Sequence, residues 1–121
     1  LLPDDVIRFL RTSVGSLWAL EQLLLLRRDR TRGWSLEELT RELRSSIGVV
    51  TSVLAQLRGA GLVTEADGLY RYCPTSADLD ALVERVADSY AKFPFTVTQA
   101  ILTSPNDKIQ LFADAFRIKK D

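Results

Sequence analysis

At Gly61 the apolar residues of this chain change their spacing. Upstream, Ile47, Val50, Leu54 and Leu57 recur at intervals of three and four, which marks one buried face of a helix. Downstream, Leu62-Val63-Thr64-Glu65 and Leu69-Tyr70-Arg71-Tyr72 switch to a period of two on either side of Asp67-Gly68. Asp-Gly between two such runs is a strong hairpin signal, and Pro74 ends the second strand. Gly61 followed by Leu62 predicts a Schellman stop, with the glycine left-handed and the leucine packing back on the helix. The chain must therefore pass from a helix into a hairpin with almost no linker.

The helix before the hairpin has its own partner. Ser35 stands three residues before Glu38, a capping box, and Trp34 is placed to pack on Leu39 as a hydrophobic staple. This predicts a helix from Leu36 to Arg44 with Leu36, Leu39 and Leu43 on one stripe. Ser45-Ser46 then interrupts, and either serine can cap the helix that runs to about Ala60. Nearer the start, Pro3, Asp4 and Asp5 open a short helix carrying Val6, Ile7, Phe9 and Leu10. A longer helix from about Ser13 to Arg28 follows, with Val14, Leu17, Trp18, Leu20, Leu24 and Leu25 at helical spacing, or else the two form one bent element. Leu23 to Leu26 leave it little polar face, so it is expected at the centre.

Beyond the hairpin, Thr75 with Asp78, or Ser76, opens a helix striped with Leu79, Leu82, Val83, Val86 and Tyr90. Phe93-Pro94 breaks it, and a short helix with Val97, Ala100 and Ile101 follows. Ser104-Pro105-Asn106-Asp107 starts a last helix, Pro105 to about Ile118. Its two apolar stripes, Ile109/Phe112/Ala113/Phe116 and Leu111/Ala115/Ile118, require burial on two sides. Leu111, Ala115 and Ile118 are the expected contacts of a homodimer, the alternative being that this helix is threaded between the others of its own chain. The expected fold class is mainly α, a single domain over 1–121, with a core of about 13–73 and a C-terminal helical extension of about 75–121.

Composition narrows the chemistry. The 121 residues include no histidine and a single cysteine, Cys73. That removes Ser-His and Cys-His nucleophilic sites, His- or paired-Cys zinc sites and an internal disulfide. The carboxylate pairs Asp4-Asp5, Glu37-Glu38 and Asp78/Asp80 all stand at helix starts, where acids offset the dipole. No enzyme, metal or cofactor is expected. Trp18, Phe93, Phe95, Phe112 and Phe116 sit at helical spacing and are expected in the core, and Cys73 is expected half-buried. The longest apolar run is far shorter than the roughly 20 residues of a membrane span. The start has no leader pattern, so a cytoplasmic location is expected. The first residue is not methionine, which is the expectation for a trimmed or partial chain.

The run WSLEELTRELRSSIGVVTSVLAQLRGAGLV, Trp34 to Val63, with Tyr70-Arg71-Tyr72, resembles the winged helix-turn-helix core of bacterial regulators of the MarR-like kind. Trp18-Ala19-Leu20-Glu21 and Ala113-Asp114-Ala115-Phe116 are similar to features flanking that core in small bacterial winged-helix proteins. The resemblance implies a DNA-binding transcriptional regulator in which Leu36–Arg44 positions the recognition helix Ser46–Ala60 and the hairpin is the wing. On that implication Arg44, Ser45, Ser46, Arg58 and Arg71 meet phosphates of double-stranded DNA. Thr51, Ser52 and Gln56 face base edges, and Val49 and Ala55 can touch thymine methyls. Arg27, Arg28, Arg30 and Arg32 form a possible further phosphate patch, or a solvated basic helix end.

The charge balance departs from that pattern. Sixteen basic residues match sixteen acidic ones, and residues 1–58 carry +2 against −2 for residues 59–121. No Arg or Lys lies between Ser45 and Gln56, and the wing carries Glu65 and Asp67. A DNA reader ordinarily shows a basic excess. The alternative these features favour is a protein-interaction adaptor built on a winged helix.

Overall fold

The structure, a computed structural model, describes residues 2–102. Helix α1 (Asp4–Phe9) continues into a π-helical turn, Leu10–Val14, closed by the Gly15 N–H donating to the Leu10 carbonyl at 2.7 Å. Gly15 is left-handed (φ +76°), and Ser16 caps α2 (Leu17–Arg28) by accepting from the Ala19 N–H. The expected start at Ser13 is thus moved to Leu17. A glycine with positive φ breaks the chain there, so Val14 belongs to the first element. There follow α3 (Leu36–Leu43), α4 (Ile47–Gly59), β1 (Val63–Ala66), β2 (Leu69–Tyr72), α5 (Ala77–Lys92) and α6 (Pro94–Leu102). The expected helix Pro105–Ile118, with Leu111, Ala115 and Ile118, lies outside the described residues.

Local signals set the elements that matter for the site. Ser35 and Glu38 form both halves of the capping box that starts α3. The end of α4 is the Schellman arrangement expected at Gly61. Leu62 N–H reaches the Leu57 carbonyl and Gly61 N–H the Arg58 carbonyl, each at 3.0 Å. The hairpin pairs Val63 with Tyr72 through Ala66 with Leu69, and Asp67 and Gly68 both have positive φ, as a type I′ turn demands. Trp34 adds a third short edge: its N–H and carbonyl bond the Tyr70 backbone at 2.8 and 2.7 Å.

Helix α2 is the central element, packed against α3, α4, β2 and the π-helical turn. Leu20, Leu23 and Leu26 are fully buried among Leu39, Val50, Leu57 and Leu62. The described chain is mainly α with one hairpin between α4 and α5, a winged-helix-like arrangement carrying additional helices. Helix α5 packs on both α1 and α6, and α6 also packs on the π-helical turn.

Several side chains stand elsewhere than expected. Ile47 is 53% exposed, because Val53 rather than Ile47 completes the buried stripe of α4. Helix α2 is rolled so that Gln22 is only 1% exposed while Trp18 is 62% exposed. Phe93 and Phe95 are likewise on the surface rather than in the core, and Cys73 is exposed. Phe112 and Phe116 lie outside the described residues.

Candidate nucleic-acid interface

Helices α3 and α4 are joined by Arg44, Ser45 and the N-cap Ser46. Arg44 is left-handed (φ 51°, ψ 43°), so it takes the conformation that glycine ordinarily supplies at a helix end. The Ser45 N–H closes the turn on the Thr40 carbonyl at 3.2 Å. Ser46 Oγ accepts from the Val49 N–H at 3.2 Å, so one of its lone pairs serves the cap while its O–H keeps the capacity to donate. The earlier amides of the first turn have no acceptor within the helix, by helix geometry.

From this end α4 presents Gly48, Val49, Thr51, Ser52 and Ala55 to solvent. A Cβ added at Gly48 or Gly59 would meet nothing within 4 Å, so neither glycine is required by packing. Small side chains on an open face permit close approach by another molecule. Thr51 and Ser52 lie on that face with exposed hydroxyl-bearing side chains.

Gln56 has a different position. Its Nε2 donates to the Ser13 carbonyl at 3.0 Å and, more closely, to the Val14 carbonyl. Its amide nitrogen therefore ties α4 to the end of the π-helical turn, leaving only the carbonyl oxygen for any base. Gln22 makes the reciprocal tie, donating from inside the core to the Val50 carbonyl at 3.2 Å. The polar interruption of a leucine-rich run at Glu21-Gln22 was the available signal for this contact.

The arginines named from the sequence separate into groups. Among the described residues Arg44 has no ion-pair partner. Arg58 stands 3.9 Å from Glu65, the wing carboxylate that also accepts from the Gly68 N–H. Arg71 donates to the Thr31 carbonyl at 3.2 Å and lies against Gly33. The basic connector is largely engaged within the fold. Arg28 pairs with Asp29, Arg32 with Glu38 while stacking on Trp34, and Arg30 with Asp80 while lying over Tyr72. Arg27 Nε is buried without an acceptor among the described residues.

These pairs have titration consequences. The Tyr72 hydroxyl donates to Asp80 at 2.7 Å and, with Arg30, holds the Asp80 carboxyl below its ordinary value. Burial and the same bond push the Tyr72 hydroxyl up. Glu38 is held low by the Ser35 N–H and hydroxyl, then by Arg32.

Beside the N-terminal end of α4 the surface changes character. A cavity of about 260 Å³ is lined by Trp18, Glu21, Gln22, Glu42, Leu43, Ser45 and Val49. A second hollow shares Glu21, Glu42 and Leu43 with it and extends along α2 to Leu24, Leu25 and Arg28. Tyr90 donates to Glu21 at 2.7 Å, which fixes that carboxylate and pushes the Tyr90 hydroxyl up to about 12.

Among the described residues no three His, Cys, Asp or Glu side chains gather as a metal group, and no helix is long and apolar enough to cross a membrane. Fold and site together define a winged-helix-like domain with a small-residue polar face on its second helix-turn-helix element. No family model matches the chain, and comparison with curated proteins and with solved structures gives no match either.

Proposed function

We propose that this protein is a dimeric, double-stranded DNA-binding transcriptional regulator of the MarR-like winged-helix kind, acting in the bacterial cytoplasm. The observation that carries the reading is the exposed face of α4. Gly48, Thr51, Ser52 and Ala55 lie open to solvent directly after a turn whose Arg44 has no ion-pair partner among the described residues. On this reading Thr51 and Ser52 hydrogen-bond base edges, Val49 and Ala55 touch methyl groups, and Arg44, Ser45 and Arg58 position the phosphate backbone. Arg58 must exchange a 3.9 Å approach to Glu65 for a phosphate, a small cost for an exposed pair.

The test is fluorescence anisotropy against mixed genomic duplex fragments at several salt concentrations. Steep salt dependence with fragment preference is the expected result. Replacing Arg44 and Arg58 by alanine should lower the salt slope by about 1.8 per subunit, since each phosphate contact contributes about 0.9. An unchanged slope and affinity would sink this placement of α4.

A second reading, a protein-interaction adaptor, is favoured by one observation. Arg28, Arg30, Arg32 and Arg71 are engaged within the fold, whereas Trp18 is exposed at the edge of an acidic groove. Absence of duplex binding even at low salt would make it the leading reading.

A further inference from the structure

We infer that the exposed face of α4 tells one duplex from another by the C5-methyl of thymine, with Ile47 as its principal reader, a reading that rests on the proposed duplex binding and adds the base feature recognised.

Each base edge in the major groove suits its own side chain. Guanine takes a bidentate Arg or Lys, and adenine a bidentate Asn or Gln amide. The cytosine amino group takes Asp or Glu, and the thymine methyl an apolar contact. Residues 45–57, SSIGVVTSVLAQL, contain no Arg, Lys, Asp, Glu or Asn. Arg44 precedes the helix in the turn, and Arg58, in its last turn, stands 3.9 Å from Glu65. The one amide in this stretch is Gln56, whose Nε2 donates to both the Ser13 and the Val14 carbonyls. Its donor half is therefore committed within the fold, and a bidentate contact to adenine needs that half. Thr51 and Ser52 remain, and a hydroxyl donates to or accepts from any base. Hydrogen bonds from this face thus carry little sequence information.

Its apolar side chains carry more. Ile47, the first residue of α4, is 53% exposed, Val49 is 37% exposed and Ala55 is open to solvent. The buried residues of the helix are Val50, Val53, Leu54 and Leu57, so packing does not account for the branched side chain at position 47. In a helix-turn-helix the N-terminal residues of the second helix meet the base edges. Ile47, Thr51 and Ala55 follow at intervals of four, a row of methyl-bearing side chains along one side of the helix. A Cβ at the neighbouring Gly48 would meet open space, so no side chain there holds a groove floor away from Ile47. The apolar feature such a row meets in the major groove is the thymine methyl.

The experiment titrates the full chain by fluorescence anisotropy against the mixed genomic duplex fragments, prepared with thymidine, deoxyuridine or 5-bromodeoxyuridine. Deoxyuridine keeps every hydrogen-bonding group of thymidine and lacks only the methyl, whereas bromine refills the methyl's volume. Affinity should fall about fourfold for each methyl contacted when deoxyuridine replaces thymidine, and the bromo fragments should restore it. Ile47→Ser should remove most of the difference between thymidine and deoxyuridine fragments while leaving the salt slope unchanged, because the phosphate contacts are untouched. Ile47 is exposed, so the folded content of this variant, read by circular dichroism, should match that of the parent chain. Equal binding of thymidine and deoxyuridine fragments overturns the inference and leaves duplex binding standing. A difference that survives Ile47→Ser overturns Ile47 as the reader. Failure to bind any fragment at low salt overturns the duplex reading itself and this one with it.

Discussion

Arg44 holds a left-handed backbone at the junction of α3 and α4, a conformation that costs a residue with a Cβ roughly 1 kcal/mol. The same residue is the arginine best placed, on the proposed reading, to meet a phosphate. These two facts make opposite predictions for Arg44→Gly. Stability should rise by up to about 1 kcal/mol in urea unfolding, because glycine takes positive φ freely. Duplex affinity should fall, because the guanidinium is gone. An arginine that is purely a turn residue would show the first effect without the second. Gly48 offers the converse. Alanine there meets open space and should stabilise α4 by about 0.5–1 kcal/mol. If close approach to DNA occurs at that point, duplex affinity drops while the melting temperature climbs.

Helix α4 is fixed from two sides by glutamine amides, Gln22 reaching in from α2 and Gln56 reaching out to the π-helical turn. Gln56→Ala should therefore cost about 1–2 kcal/mol, measured by thermal unfolding, since the Ser13 and Val14 carbonyls lose a shared donor. A base-reading role would instead appear as altered fragment preference with little change in stability. The sequence exposed the outline of these elements well and their rotation poorly. The capping box, the Schellman glycine and the Asp-Gly turn are local codes, each satisfied by neighbours a few residues away, and each was legible. The roll of α2 and α4 was not. Both helices are apolar over more than half their circumference, so periodicity alone leaves several faces eligible for burial. Tertiary bonds from Gln22 and Gln56 decide among them, and these couple residues 28 and 43 positions apart. The same limit hid the fate of the arginines: Arg30 meets Asp80 and Arg32 meets Glu38 only once the fold is complete.

At the scale of the molecule, acid sensitivity follows from three carboxylates that, among the described residues, are held below their ordinary values. Asp5 is lowered by Arg85, Glu38 by the Ser35 cap, and Asp80 by Tyr72 and Arg30. A depressed carboxylate contributes stability above its unfolded value and loses it as the folded form protonates. Stability should thus be level near neutrality and decline as pH falls through 4.5 and 3.8, the ordinary values for Glu and Asp. Ser35→Ala should reduce the Glu38 part of that decline without abolishing it in urea titrations at several pH values, because the backbone N–H of residue 35 and Arg32 still hold the carboxylate. The Asp5–Arg85 pair also says something about how the protein assembles in time. It joins α1 to α5 across 80 positions of sequence, whereas α3, α4 and the hairpin are neighbours along the chain. Loop closure delays contacts of long separation, so the helix-turn-helix and wing can form early and the α1–α5 clasp last. By the same logic the clasp is the first part to open. A protease probing the native protein would then nick beside Gly15 before it reached the wing, and the earliest fragment released would be the N-terminal helix.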